Sequence, residues 1–120
     1  MWKPIPEKIL RSTAEVKVCT GINVYQQQTY ETYTVQHVHL QPTSEVRKST
    51  DNTDQQLRSL LFVDVRHSTP ALDWEALFLR AQANGGDMRV IVRGVEYTVL
   101  TVDALWDGTD HLHHYEVGLV

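Results

Sequence analysis

Residues 14–19, Ala-Glu-Val-Lys-Val-Cys, alternate apolar and polar side chains, the period-two signature of a strand with one buried face. Residues 29–40 are rich in Thr, Tyr and Val, which suit a pleated surface. There Tyr33, Val35, His37 and His39 fall on one face and Thr34, Gln36, Val38 and Leu40 on the other. Neither set is apolar throughout, so the pattern leaves the buried face open. The run Leu60-Leu61-Phe62-Val63 within residues 57–67 reads as a strand buried on both faces. Residues 72–83 read as a helix: Asp73 can cap its start, Asn84-Gly85-Gly86 can stop it, and Trp74, Leu77, Phe78 and Ala81 share a face. Residues 88–92 and 95–102 are strand-like around Arg93-Gly94, where a tight hairpin is expected. His113 to Val120 is a closing strand. The pattern predicts a mainly β chain, a small antiparallel barrel of five or six strands with one short helix lying outside it.

Two stretches do not fit a core. Pro4 and Pro6 disfavour helix near the start, so residues 1–12 are expected to form an extended N-terminal arm. Residues 41–56 carry one aliphatic side chain, Val46, and read as a long polar loop inside a single domain spanning residues 1–120. A segment that buries so little apolar area does not offset the cost of ordering it. It is expected to be mobile in the isolated subunit.

Composition narrows the function classes. At 120 residues with 42% hydrophobic side chains, the chain supports one compact core. Eleven basic against fifteen acidic side chains give a net charge of −4, which argues against a dedicated duplex-DNA binder and against an OB-like single-strand binder with its basic groove. Cys19 is the one cysteine, so no intrachain disulfide forms. No apolar run approaches the roughly 20 residues of a membrane span. No secretory leader is recognised at the N-terminus. The expectation is a protein made and used in a cytoplasm, with no membrane partner.

Candidate chemistry is sparse. His37 and His39 lie two apart on a predicted strand, a spacing used by metal sites, and His111, His113 or His114 could complete one. Six histidines in 120 residues also produce such a pair by chance, and no carboxylate is placed to complete a triad. Asp64, Asp73, Asp103, Asp107 and Asp110 show no paired spacing and read as solvated turn or edge positions. Cys19 reads as a small buried hydrophobe, and Trp74 and Trp106 as core residues. No phosphate-loop or dinucleotide fingerprint is present. The expected catalytic, metal and cofactor sets are therefore all empty, with a small metal-binding β-barrel enzyme using His37 and His39 as the alternative.

Three stretches carry a resemblance. They are Lys3-Pro4-Ile5-Pro6 with Ile9-Leu10; His37-Val38-His39-Leu40-Gln41-Pro42-Thr43-Ser44 running on to Gln56-Leu57-Arg58-Ser59-Leu60-Leu61-Phe62-Val63-Asp64; and Gly94-Val95-Glu96-Tyr97-Thr98-Val99 with the terminal His113-His114-Tyr115-Glu116-Val117-Gly118-Leu119. Together they resemble the minor capsid protein family encoded in the head–tail modules of tailed phages and prophages. Residues 73–84 depart from that family's pattern. The resemblance implies a non-enzymatic head–tail connector of the head-completion or stopper type. Such a subunit is a β-barrel that joins a ring, expected to be dodecameric in the virion, below the portal and its adaptor. The ring closes the DNA channel and offers a docking surface to tail proteins, and genomic DNA passes without specific binding. The residues expected to face the channel are Glu45, Val46, Arg47, Lys48, Asp51 and Asp54. The N-terminal arm, with Trp2, Pro4, Ile5 and Pro6, is the expected subunit contact. A different connector role, as adaptor or tail terminator, is the nearest rival.

Overall fold

A computed structural model describes residues 11–48, 52–106, 108 and 111–120. The expected arm residues Trp2, Pro4, Ile5 and Pro6, and the expected loop residue Asp51, lie outside them. In chain order the elements are β1 (Ser12–Ile22), β2 (Gln28–Pro42), β3 (Val46–Lys48), β4 (Asp54–Gln56), β5 (Ser59–Asp64), α1 (Trp74–Ala83), β6 (Met88–Val92), β7 (Val95–Trp106) and β8 (Leu112–Leu119). Six strands close into an antiparallel barrel in the order β1-β2-β5-β8-β7-β6, and β3 pairs only with β4. Closure removes the barrel's edges along the paired stretches.

Alternation builds the wall. On β1, Ala14, Val16 and Val18 are fully buried while Thr13 and Glu15 are exposed and Lys17 is half-buried. Their inward partners are Leu61 and Val63 on β5, Met88, Val90 and Val92 on β6, Tyr97 and Val99 on β7, and Tyr115, Val117 and Leu119 on β8. Each such aliphatic side chain contributes about 1.5–3 kcal/mol by leaving water. At the β6–β7 turn, Arg93 and Gly94 both have positive φ (52° and 78°) between the paired Val92 and Val95. That is the two-residue connection whose twist matches an antiparallel pair.

The ambiguity along β2 has a physical cause. Val35 and Val38 are both fully buried although their spacing is odd. The pairing with β1 slips between Ser12↔Val38 and Ala14↔Val35, so two residues of β2 stand opposite Thr13 alone. His37 takes φ 60° at this bulge. A bulge inserts one residue and re-aims the strand. Tyr33 and Val35 therefore face the core before it, and Val38 and Leu40 after it.

The helix stands outside the six-strand barrel, as the pattern suggested, but is packed closely on it. It connects the end of β5 to the start of β6, packs on β1, β7 and β6, and places Trp74 and Ala81 at zero exposure in the main core. Asp73 Oδ1 accepts a hydrogen bond from Ala76 N (3.1 Å), the expected N-cap. At the other terminus Gly86 N donates to Ala81 O and Gly85 N to Gln82 O, with Gly85 at φ 81°, which is a Schellman stop. Gly86 has no room for a side chain: a Cβ there would collide with Cys19 Sγ and Gln28 Oε1. Trp106, expected in the core, is instead 51% exposed at the end of β7. Asp64 is buried rather than solvated, and its Oδ1 accepts from Arg66 N (2.7 Å) and His67 N (3.0 Å) to shape the turn after β5.

Candidate functional site

The stretch 41–56, expected as one polar loop, holds a separate structure. Its first residues finish β2, which stops at Pro42, a residue with no N–H to extend a ladder. Thr43 Oγ1 accepts from Glu45 N (3.2 Å) and turns the chain. β3 and β4 then pair antiparallel, with Val46 opposite Gln56 and Lys48 opposite Asp54. Lys48 Nζ lies 3.1 Å from Asp54 Oδ1 across the pair. Val46 is 62% exposed. The strand pairing satisfies backbone groups, but the ribbon buries almost nothing of its own.

Two contacts outside the ribbon hold it to the barrel. The first is at its base. Leu57 N donates to Glu45 O (2.8 Å), and the Leu57 side chain is buried against the outer surface of β8. Gly118 makes this possible: a Cβ there would stand 2.5 Å from Thr101 Oγ1 and 3.1 Å from Leu57 Cδ2. Leu57 and Leu60 are buried but lie apart from the barrel's main core.

The second contact is Arg47. Its Nη1 lies 2.6 Å from Asp103 Oδ2 on β7, its Nη2 is 2.8 Å from Glu45 Oε2, and Glu116 Oε1 on β8 is 4.0 Å away. Asp103 and Glu116 are direct partners in the β7–β8 register. Like charges opposite each other destabilise a sheet, and the Arg47 guanidinium stands against both. The hydrogen bond to Glu45, with the charges of Asp103, Glu45 and Glu116, raises the guanidinium pKa above its ordinary value, against the opposing effect of burial. These partners are up to half exposed, so each pair stabilises by about 1 kcal/mol or less.

From Glu116 the network continues along the outer wall. His114 Nε2 lies 3.1 Å from Glu116 Oε2, and its Nδ1 is 2.7 Å from His113 Nδ1. A hydrogen bond between those two Nδ1 atoms needs one as donor and the other as acceptor, so it couples the tautomers of the two rings. Phe62 stacks with His39 (5.9 Å between ring centres) and lies 6.1 Å from His114. His39 therefore has a packing role in this stripe. His37 is the bulge residue, and its carbonyl accepts from Ser68 Oγ. Among the described residues no group of three or more His, Cys, Asp or Glu is placed to hold a metal ion.

Of the expected channel-facing residues, Glu45, Arg47, Lys48 and Asp54 are thus brought into ion pairs, and Val46 is left exposed. Asp103, Glu116, Leu57 and Gly118 complete the site, and sequence reasoning did not join them to the ribbon. The signal lay in the register: once β7 and β8 are aligned, two acids face each other and require a cation. Among the described residues no helix is long and apolar enough to cross a membrane. Neither a curated protein nor a solved structure matches the chain. A family model described as "Minor capsid protein" matches residues 6–119. With nearly the whole barrel inside that match, the chain belongs to the minor capsid protein family of phages and is a structural component of the virion.

Proposed function

We propose that this protein is a head-completion, or stopper, connector. Copies form a ring beneath the portal and adaptor, the β3–β4 ribbon faces the channel, and the outer rim receives tail proteins. The observation that carries this reading is the division of labour within one subunit. A closed barrel gives a rigid wall, and a ribbon in a sheet of its own rests on that wall through one buried leucine and one arginine clasp. A gate needs such an element, able to leave its seat without unfolding its support. The net charge of −4 keeps phosphate from adhering to the passage. Closure is then steric, ribbon against ribbon around the ring axis. The N-terminal arm, with Trp2, Pro4, Ile5 and Pro6, serves as the contact between neighbours.

The test replaces residues 45–54 with a short Gly/Ser turn in phage that carry the gene. The barrel is expected to fold, because loop length changes stability only slowly. Heads are expected to fill and then leak DNA before tails attach. Normal DNA retention by the shortened variant would remove the gate and leave the ribbon as a spacer.

A further inference from the structure

Where β5 ends, the turn after it and the start of β8 enclose an apolar cleft away from the ribbon. Val63 and Tyr115 form its buried side, and Val65, Pro70, Leu72 and Leu112 its more open side. The exposed Trp106 stands opposite Leu112 in the β7–β8 register and extends the apolar surface. The surrounding charge is acidic. Asp64 lines the cleft. Burial first, and then the negative charges of Asp73 and Glu75, raise the Tyr115 hydroxyl pKa above its ordinary value. Both acids therefore act on the buried side of the cleft, with Arg66 as the opposing cation in the turn.

The chain carries a segment of matching chemistry in residues 1–10, ahead of the described barrel. Trp2, Ile5, Ile9 and Leu10 supply large apolar side chains, and Lys3, Lys8 and Arg11 outweigh Glu7. Pro4 and Pro6 have no N–H, so the segment brings fewer donors that an apolar cleft would leave unsatisfied. The root of this arm is close. Ser12 pairs with Val38, and Val38 pairs with Val63. Antiparallel partners stand about 4.5–5.5 Å apart, so Ser12 lies within about 11 Å of Val63. The stretch from Ser12 back to Ile5 reaches up to about 23 Å at about 3.3 Å per residue.

We infer that the arm of each free subunit folds back into its own cleft, with Ile5 seated among Val65, Leu72 and Leu112 and Lys3 turned toward Asp73 and Glu75. Its own arm is the occupant because so small a contact needs a tether. Seating one or two side chains holds a free partner only weakly, since association costs must be met first. A short flexible tether supplies an effective concentration on the order of millimolar. The latch keeps arm and cleft covered until a neighbouring subunit competes for them, the step at which the connector reading passes the arm to the next copy. The latch itself rests on cleft, charge and tether. Gating is read from DNA retention, so the two readings fail separately.

The test is disulfide formation in the full chain, with Ile5→Cys combined in turn with Val65→Cys and with Val95→Cys. Val65 lines the cleft and Val95 stands at the β6–β7 turn, and both are 41% exposed. Val95 pairs with Val92, which pairs with Ala14, so it lies two strand spacings from β1. An undirected arm would reach either valine. The native Cys19 is buried. The expected result is an intrachain disulfide to Val65→Cys, formed at a rate independent of protein concentration and about tenfold or more faster than with Val95→Cys. Equal rates for the two pairs overturn the latch. Disulfides that form only between chains overturn the subunit's own arm as the occupant. A second measurement does not depend on disulfide geometry. Trp2→Ser combined with Ile5→Ser is expected to speed amide exchange across residues 65–72 severalfold while exchange in β1 and β6 stays as it was. Unchanged exchange across residues 65–72 overturns the proposal.

Discussion

The helix α1 and the β3–β4 ribbon are both excursions between barrel strands, and they are fixed in opposite ways. α1 leaves at the end of β5 and returns at β6, and its attachment is burial: Trp74 and Ala81 have zero exposure within the main core. The ribbon leaves at the end of β2 and returns at β5, and its attachment is Leu57 on Gly118 with Arg47 on Asp103 and Glu116. Apolar burial is non-directional and is not weakened by charge screening, whereas ion pairs at a wet surface are weak and screened. An element held in the first way opens only when the barrel unfolds. One held in the second way can open by itself, and locally opening segments are where moving parts are found.

Three substitutions and one change of salt sharpen that contrast. The largest effect belongs to Trp74→Ala, which empties a fully buried site shared by helix and barrel. It should cost about 3–5 kcal/mol, and thermal unfolding followed by circular dichroism should show a single transition at much lower temperature. A helix that melted separately while the barrel held would break the comparison from the side of α1. Gly118→Ala comes next. Its added methyl meets Thr101 and displaces Leu57, at a cost of about 1–3 kcal/mol. Faster hydrogen exchange across residues 43–57 should accompany it. Arg47→Ala should cost least, about 1 kcal/mol or less, while exchange at residues 45–48 and 54–56 accelerates severalfold. Raising the wild-type protein to about 1 M salt should reproduce much of that acceleration, since the screening length falls to about 3 Å. A ribbon equally protected at low and high salt would show that Leu57 alone holds it.

The sequence made the barrel legible because its signals are local. Alternation at Val16 and Val18, the Asp73 cap and the Arg93-Gly94 turn each act within a few residues. The face of β2 was not legible, because one bulge residue, His37, changes the parity of everything after it without changing the composition. The ribbon was missed for another reason. Residues 41–56 have the composition of a loop, and what organises them is register and distance: Arg47 meets Asp103 and Glu116, which stand on strands far along the chain. Trp106 shows the same limit from the other side, since its hydrophobicity suggested a core that the end of β7 does not reach.

The bulge at His37 also makes β2 a strand with a gear change in the middle. Its first half is meshed with β1 on one parity, and its second half with β1 and β5 on the other. Pairing the same residues without the bulge would turn half of the strand over, sending Val38 and Leu40 toward solvent and His39 toward the core, whereas loss of one residue at Gln36 or His37 would restore plain alternation and keep Val38 inward. A residue gained or lost elsewhere in the strand does turn over everything beyond it, so length variation is confined to the bulge and to the strand's two ends: the turn at Asn23–Gln27, and the polar stretch beyond Pro42 where the ribbon begins.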